Sequence, residues 1–272
     1  MITSDFHMHT NFSIDSPASP REMIEGALAK GLKTICITDH EDKDYPVHED
    51  TIDLQSDFDI DKYMKELTVL KEVYQNKIDI RIGLEIGLQP HLGKYYHDLI
   101  SRYPFDFVIG SVHVIKGDDP YYRGMFQHQT DEEVYRTTFE ETLKDLDAIP
   151  DFDVLGHIDY VVRYGNNRER DYSYQKFAAE IDQILKKLIE MGKGIEINTS
   201  GFKYDLPFCH PHPDVIKRFV ELGGEIITIG SDGHIPEHLA YDFHKVSDLL
   251  KQSGVKYFTE FKQRKPYFCE LP

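Results

Sequence analysis

Short β-branched runs alternate with amphipathic segments seven times along the chain, and this alternation constrains the fold more than any other feature. The predicted strands are Ile2–Phe6, Thr34–Thr38, Ile80–Glu85, Asp106–His113, Val154–His157, Ile195–Asn198 and Ile226–Gly230. Helical periodicity follows them near residues 20–30, 60–76, 92–102, 131–147, 174–191, 213–222 and 240–252. Such alternation is typical of parallel strands joined by right-handed crossovers. Seven units predict a closed or nearly closed barrel, although a doubly wound sheet would give a similar pattern.

The boundaries of these segments support the same division of the chain. Ser19-Pro20-Arg21-Glu22 is a capping-box sequence with proline at the first helical position, and Gly31 closes that helix. Residues 255–268 instead predict a terminal strand and turn, which we expect to pack on the outside or edge of the barrel. No Pro/Gly/Ser-rich linker interrupts the sequence, so residues 1–272 are expected to form a single barrel domain.

Polar residues stand at the carboxyl end of every predicted strand. They are His7 and His9, Asp39 and His40, Glu85, His113, His157, Asn198, and Asp232 with His234. A His-x-His pair alone is weak evidence, because 14 histidines in 272 residues give on the order of 0.7 such pairs by chance. In parallel barrels, however, these strand ends converge on one face. Buried imidazoles and carboxylates without partners are unfavourable there, and divalent zinc, manganese or iron would stabilise them.

Composition narrows the classes of function. The formal net charge of -17 argues against a general nucleic-acid binder, whereas bound divalent metals would still allow an anionic substrate. No apolar run approaches the ~20 residues of a membrane helix, and the first residues do not read as a signal peptide. Three widely spaced cysteines favour a reducing compartment, so we expect a cytoplasmic protein without membrane or nucleic-acid partners.

Taken together, these strand ends resemble the motifs of the polymerase-and-histidinol-phosphatase (PHP) superfamily. The matching motifs are residues 7–15 (HMHTNFSID), 38–40 (TDH), 83–85 (GLE), 111–113 (SVH), 156–157 (GH) and 231–234 (SDGH). The stretches 196–201 (EINTSG) and 261–266 (FKQRKP) resemble its histidinol-phosphatase branch. The resemblance implies an α/β fold, a distorted (β/α)7 barrel with a C-terminal extra strand. It also implies a metal-dependent phosphomonoesterase that hydrolyses L-histidinol phosphate to L-histidinol and phosphate in histidine biosynthesis.

The resemblance further implies three divalent metal ions (zinc, manganese or iron) and their ligands. The first ion would take His7, His9, Glu85 and Asp232, the second Glu85 as a bridge with His113 and His157, and the third Asp15, His40 and His234. Two such ions would lower the pKa of a shared water for in-line attack on phosphorus. Either Asp232 or His234 would protonate the leaving alkoxide, and the sequence does not choose between them.

A substrate with a dianionic head and a cationic amino-imidazole tail needs basic residues for the phosphate and acidic or aromatic groups for the tail. Arg163 is the first candidate for phosphate binding, Lys203 the second, and Arg123 the third, in a long loop (116–130) that could act as a lid. The resemblance implies arginine near the position of Lys203, which leaves the exact phosphoester open. The acidic insertion 41–61 is expected to be a solvated loop near the barrel mouth, favouring a cationic tail. Six other histidines are expected to be structural (His210 and His212) or exposed (His91, His97, His238 and His244).

Three further classes of function stay open. A phosphodiesterase or nuclease of the same superfamily is disfavoured by the acidic balance and by the lack of a basic, aromatic-rich track. A non-catalytic metal-binding module is disfavoured by the complete set of ligand residues. An amidohydrolase is the most distant alternative, since it typically has a lysine on strand four, where residues 111–113 read SVH.

Overall fold

Seven parallel β-strands form a nearly closed barrel in the computed structural model, which describes residues 1–48 and 58–272. The strands are β1 (Ser4–Asp5), β2 (Thr34–Ile37) with its continuation β3 (His40–Glu41), β4 (Asp79–Gly87), β5 (Phe107–Ser111), β6 (Val154–Leu155), β7 (Gly194–Asn198) and β8 (Ile227–Gly230). Neighbouring strands follow the order of the chain, and both β2 and β3 pair with β4. The Phe6 amide donates to the Ile229 carbonyl at 2.9 Å, which joins β1 to β8. The predicted barrel is therefore confirmed over the doubly wound sheet.

Helices cover the outside of this barrel. They are α1 (Pro20–Ala29), α2 (Ile60–Tyr74), α3 (Gly93–Arg102), α4 (Asp131–Ala148), α5 (Ala178–Glu190), the short α6 (Ser200–Lys203), α7 (Pro213–Glu221) and α8 (Phe243–Gln252). The predicted capping box is confirmed, because the Ser19 hydroxyl and the Glu22 carboxylate each accept the other residue's amide. Gly31 ends α1 with a φ of 77°, a left-handed conformation that favours glycine. Within residues 1–48 and 58–272, no helix is long and apolar enough to cross a membrane.

A C-terminal β-hairpin closes the amino-terminal end of the barrel. Its strands are β9 (Tyr257–Lys262) and β10 (Lys265–Glu270), joined by two residues of positive φ as in the tight turns typical of hairpins. Phe261 packs against Phe107 and Phe6 in an apolar cluster inside the barrel. The Arg264 amide donates to the Asp106 carbonyl at 2.9 Å, immediately before β5. This differs from the expected packing on the outside or edge, since one aromatic side chain of the hairpin enters the barrel interior.

Candidate metal centre

The carboxylate of Glu85 lies at the middle of a cluster of imidazoles at the other end of the barrel. Glu85 belongs to the long strand β4 and is completely buried. Its Oε2 lies 3.1 Å from Nε2 of His7 and 3.0 Å from Nδ1 of His40. Its Oε1 lies 3.0 Å from Nε2 of His157 and 3.4 Å from Nε2 of His113. One carboxylate therefore contacts imidazoles from four different strand ends, as a bridging ligand would.

The remaining predicted ligands surround this core. Nε2 of His9 lies 3.5 Å from Glu85 Oε2 and 3.4 Å from Asp232 Oδ1. Nearer the mouth of the barrel, Nε2 of His234 lies 2.9 Å from Oδ2 of Asp15, and the same carboxylate oxygen is 3.8 Å from Nε2 of His40. The structure thus brings all nine predicted ligand residues into one cluster.

The donor atoms of this cluster fit divalent metals. Among the described residues, four groups place three donor atoms within 4.8 Å of one another: His7, His9 and Glu85; Glu85, His113 and His157; His9, His40 and His234; and His40, Asp42 and His113. Nε2 of His9 is buried without a hydrogen-bond partner among the described residues, as a metal-binding nitrogen would be without its ion. Burial, together with the nearby His40 and His234, holds the pKa of His9 well below its ordinary value. Its imidazole is therefore neutral, the form that binds metals.

Two carboxylates that were not predicted to belong to the site contact the ring nitrogens of His7 and His113 that face away from Glu85. Oε1 of Glu196 lies 2.6 Å from Nδ1 of His7, and Oδ1 of Asp42 lies 3.0 Å from Nδ1 of His113. In each case the opposite ring nitrogen points to Glu85, which is the carboxylate–histidine–metal arrangement of many metal sites. A charged residue between two isoleucines of a buried strand was the sequence signal for Glu196. Asp42 carried no comparable signal, because it follows β3 in a stretch rich in acidic residues.

A cavity of about 1160 Å³ opens above the cluster and contains two of the three predicted phosphate-binding residues. Cζ of Arg163 lies between 4.4 and 5.1 Å from the ring centroids of Tyr160, Tyr164 and Tyr204. Nζ of Lys203 donates to the main-chain carbonyl of Asp232 at 3.1 Å, and burial lowers the pKa of Lys203. Neither cation forms an ion pair within residues 1–48 and 58–272. The cavity therefore presents two cations that form no ion pair with a carboxylate of the described residues, which suits an anion.

Arg123 lies apart from these residues. It is exposed, its guanidinium donates to the Asn166 side chain at 2.8 Å, and it does not belong to the described lining of the cavity. The loop that carries it does contribute to the cavity, through Asp119, Tyr121 and Tyr122.

Two expectations about polar residues were wrong. His238 was expected at the surface but lines the cavity, where burial lowers its pKa, whereas His91, His97 and His244 are exposed as predicted. The acidic insertion is not simply solvated either, because Glu41 is buried and Asp42 contacts His113. Residues 49–57 of this insertion lie outside the described part of the chain.

Comparisons with known proteins agree with this site. A sequence model of the PHP domain matches residues 5–200. The histidinol-phosphatase of Lactococcus lactis is 34% identical over 96% of this chain and 95% of its own length, and a probable histidinol-phosphatase of Clostridium acetobutylicum is 32% identical over 93% and 94%. The crystal structure of the histidinol phosphate phosphatase of Lactococcus lactis, in complex with zinc, L-histidinol and phosphate, superposes with a TM-score of 0.86 at 31% identity, covering 97% of this chain and 98% of that one. The chain belongs to the PHP-domain family, in its histidinol-phosphatase branch.

Proposed function

We propose that this chain hydrolyses L-histidinol phosphate to L-histidinol and phosphate. The observation that carries the proposal is the pair Arg163 and Lys203, two cations without carboxylate partners among the described residues, in the cavity above nine clustered metal-ligand residues. A bound phosphate would neutralise the charge of both cations and accept hydrogen bonds from the guanidinium. The zinc, L-histidinol and phosphate in the related crystal structure support the same substrate.

The donor set supports three divalent ions in the arrangement that the family resemblance implies. Glu85 would bridge the first ion (with His7, His9 and Asp232) and the second (with His113 and His157), and Asp15, His40 and His234 would hold the third. When bound, such ions supply a nucleophilic hydroxide at neutral pH and stabilise negative charge on phosphoryl oxygens.

The chain's own residues would position and orient the ester. Three tyrosine rings restrain Arg163, which limits the reorganisation that its planar guanidinium needs to donate two hydrogen bonds to one phosphate. Lys203 adds a point charge whose position is fixed by its bond to the Asp232 carbonyl.

Of the two candidates for the proton donor, the electrostatics disfavour Asp232. Although burial opposes ionisation, the charge of His7, together with the imidazole of His9 at 3.4 Å, holds the pKa of Asp232 well below its ordinary value. Its carboxylate is therefore ionised and suited to a ligand role. Nδ1 of His234 lies 3.1 Å from the Asp232 main-chain carbonyl, which favours a proton on that nitrogen and leaves Nε2, 2.9 Å from Asp15, as the nitrogen that would bind the third ion.

The test is phosphate release from histidinol phosphate, 4-nitrophenyl phosphate, bis(4-nitrophenyl) phosphate and single-stranded DNA, each with added manganese or zinc and with chelator. We expect metal-dependent turnover with the highest kcat/KM on histidinol phosphate. Arg163→Ala should raise KM at least tenfold, whereas Arg123→Ala, outside the cavity lining, should leave KM unchanged. Faster turnover of the diester or DNA than of every monoester would refute the proposal in favour of a nuclease.

A further inference from the structure

The carboxylates that line the cavity differ in what offsets their charge. Among the described residues they are Asp15, Glu41, Asp42, Asp44, Asp119 and Asp232. Asp15 and Asp232 belong to the metal cluster, and Asp42 holds His113. Asp44 lies 3.0 Å from Nε2 of His91, and Glu41 accepts a hydrogen bond from the Tyr95 hydroxyl. Glu41 and Asp119 are the lining carboxylates left without an assigned role, and Asp119 is the one whose partner Tyr160 also lies beside Arg163.

Asp119 is buried and surrounded by neutral donors. Its Oδ2 accepts the Tyr45 hydroxyl at 2.6 Å, and its Oδ1 accepts the Tyr121 amide at 2.7 Å and the Tyr160 hydroxyl at 3.3 Å. Only 8% of its surface is exposed, and it forms no ion pair with any residue in the described ranges. A carboxylate offers about four acceptor positions, so these three bonds leave room for one more. A buried carboxylate that contacts only neutral groups is stabilised when a cation binds beside it.

The position of Asp119 matches the dimensions of a small phosphate ester. The ring of Tyr160 lies 5.1 Å from Cζ of Arg163 and 4.9 Å from the ring of His157, while its hydroxyl contacts Asp119. Asp119 is therefore one tyrosine side chain away from Arg163, the first candidate for phosphate binding. A substrate whose phosphate contacts Arg163 can place a group two or three bonds further along against Asp119.

We infer that Asp119 binds the ammonium group of the substrate tail and so selects phosphate esters of amino alcohols over neutral esters. The inference rests on the proposed phosphatase function and adds a specificity residue to it. Tyr45 and Tyr160 fix the carboxylate from two sides, which limits the reorganisation needed when the ammonium binds. The aromatic rings of the same wall, including Tyr121 and Tyr164 with centroids 6.1 Å apart, give the rest of the tail an apolar surface.

The test compares two isosteric substrates, O-phosphoethanolamine and n-propyl phosphate, which differ by an ammonium in place of a methyl group. Asp119→Asn keeps the size of the side chain and an acceptor for the Tyr121 amide, but removes the charge. We expect kcat/KM on O-phosphoethanolamine and on histidinol phosphate to fall about 10- to 100-fold, mainly through KM, because a charge-assisted hydrogen bond is lost. Turnover of n-propyl phosphate should change less than about twofold, since no ammonium is present to lose that bond.

Two controls separate charge recognition from damage to the loop. Asp118→Asn changes the neighbouring carboxylate, which lies 3.0 Å from Nε2 of His48 and is not in the described cavity lining, and should leave the substrate preference intact. Tyr45→Phe removes a neutral donor but keeps the charge of Asp119, and should retain most of the preference for the amino ester.

The outcomes are distinct. An equal loss on both isosteric substrates, or no loss on the amino ester, would overturn the assignment of Asp119. A wild-type enzyme that hydrolyses histidinol phosphate no faster than 4-nitrophenyl phosphate would instead refute the proposed function. The substrate pair would still measure whether Asp119 recognises an ammonium group.

Discussion

Replacing Glu196 by glutamine is the sharpest test of how the metal centre is built. Oε1 of Glu196 lies 2.6 Å from Nδ1 of His7, and Oε2 accepts the His157 amide at 3.0 Å and the Asn198 side-chain amide at 3.1 Å. All three partners donate, so an ionised carboxylate satisfies them together. Glutamine has the same shape but only one acceptor oxygen, and its amide group must face donors in either orientation.

Both orientations of the new side chain are unfavourable. With its NH₂ towards the amides of His157 and Asn198, the new side chain places a hydrogen-bond donor opposite two other donors. With its NH₂ towards His7, the imidazole must move its proton to Nε2, the nitrogen that lies 3.1 Å from Glu85 and would bind the metal. Loss of such a supporting partner typically weakens metal binding 10- to 100-fold. At 1.4 kcal/mol per tenfold, this corresponds to about 1.4–2.8 kcal/mol for the ion bound by His7.

The assay is metal content by mass spectrometry after equilibration with a series of chelator-buffered zinc concentrations. Glu196→Gln should lose the His7 ion at 10- to 100-fold higher free zinc than the wild type, and activity should fall over the same range. Glu66→Gln, on the exposed face of α2, is the matched control and should behave as the wild type. Unchanged zinc affinity in a correctly folded Glu196→Gln variant would refute the supporting role.

Three further outcomes follow from single side chains. Burial and the charge of Glu141 raise the pKa of Asp145 from 3.8 to about 8. Because the folded state holds this proton more tightly, the stability that the proton contributes is present below about pH 4 and is lost as the pH rises to about 8. In protein freed of metal by chelator, Asp145→Asn should therefore make the free energy of unfolding less dependent on pH. If the free energy of unfolding, measured in urea, changed equally with pH between pH 5 and 9 in the wild type and in Asp145→Asn, this would contradict the prediction. Phe261→Ala should lower the free energy of unfolding by about 3–5 kcal/mol without changing zinc affinity, and a loss below about 1 kcal/mol would exclude the hairpin as part of the core. Lys203→Ala should raise KM for histidinol phosphate about tenfold while Lys203→Arg should not, and an equal rise in both would contradict a phosphate contact.

The barrel and the proposed metal-ligand residues could be predicted from the sequence because both produce local sequence patterns. A buried parallel strand reads as a short apolar run, and its carboxyl end is marked by the polar residue that follows, as in residues 83–85 and 111–113. Parallel topology then brings these ends together whatever their separation along the chain. Each strand-end ligand therefore needed only its own strand for its position to be predicted, whereas Asp15, in the loop after β1, was implied by the family resemblance alone.

The residues that support the ligands could not be predicted from the sequence, because their roles depend on distances across the barrel. Glu196 and His7 are 189 residues apart, and nothing in either stretch identifies the other as its partner. His238 follows the last strand in a short turn that reads as surface, and only the fold places it on the cavity wall. Phe261 likewise reads as one apolar residue of an edge strand, although it enters the barrel interior.

Glycines explain why the supporting contacts of His7 can be so close. A methyl group on Gly230 would overlap Cβ of His7 and Oε1 of Glu196, and one on Gly156 would overlap the Ser111 hydroxyl. The Ser111 hydroxyl in turn donates to Oε1 of Glu85 at 2.6 Å. Glycines at these two strand ends thus make room for the ligand side chains beside them. Sterics from two glycines and hydrogen bonds from neutral and charged partners both restrict the ligand side chains before any ion binds. A centre restricted in this way loses little conformational entropy on binding metal, so its affinity depends on residues that never touch the ion.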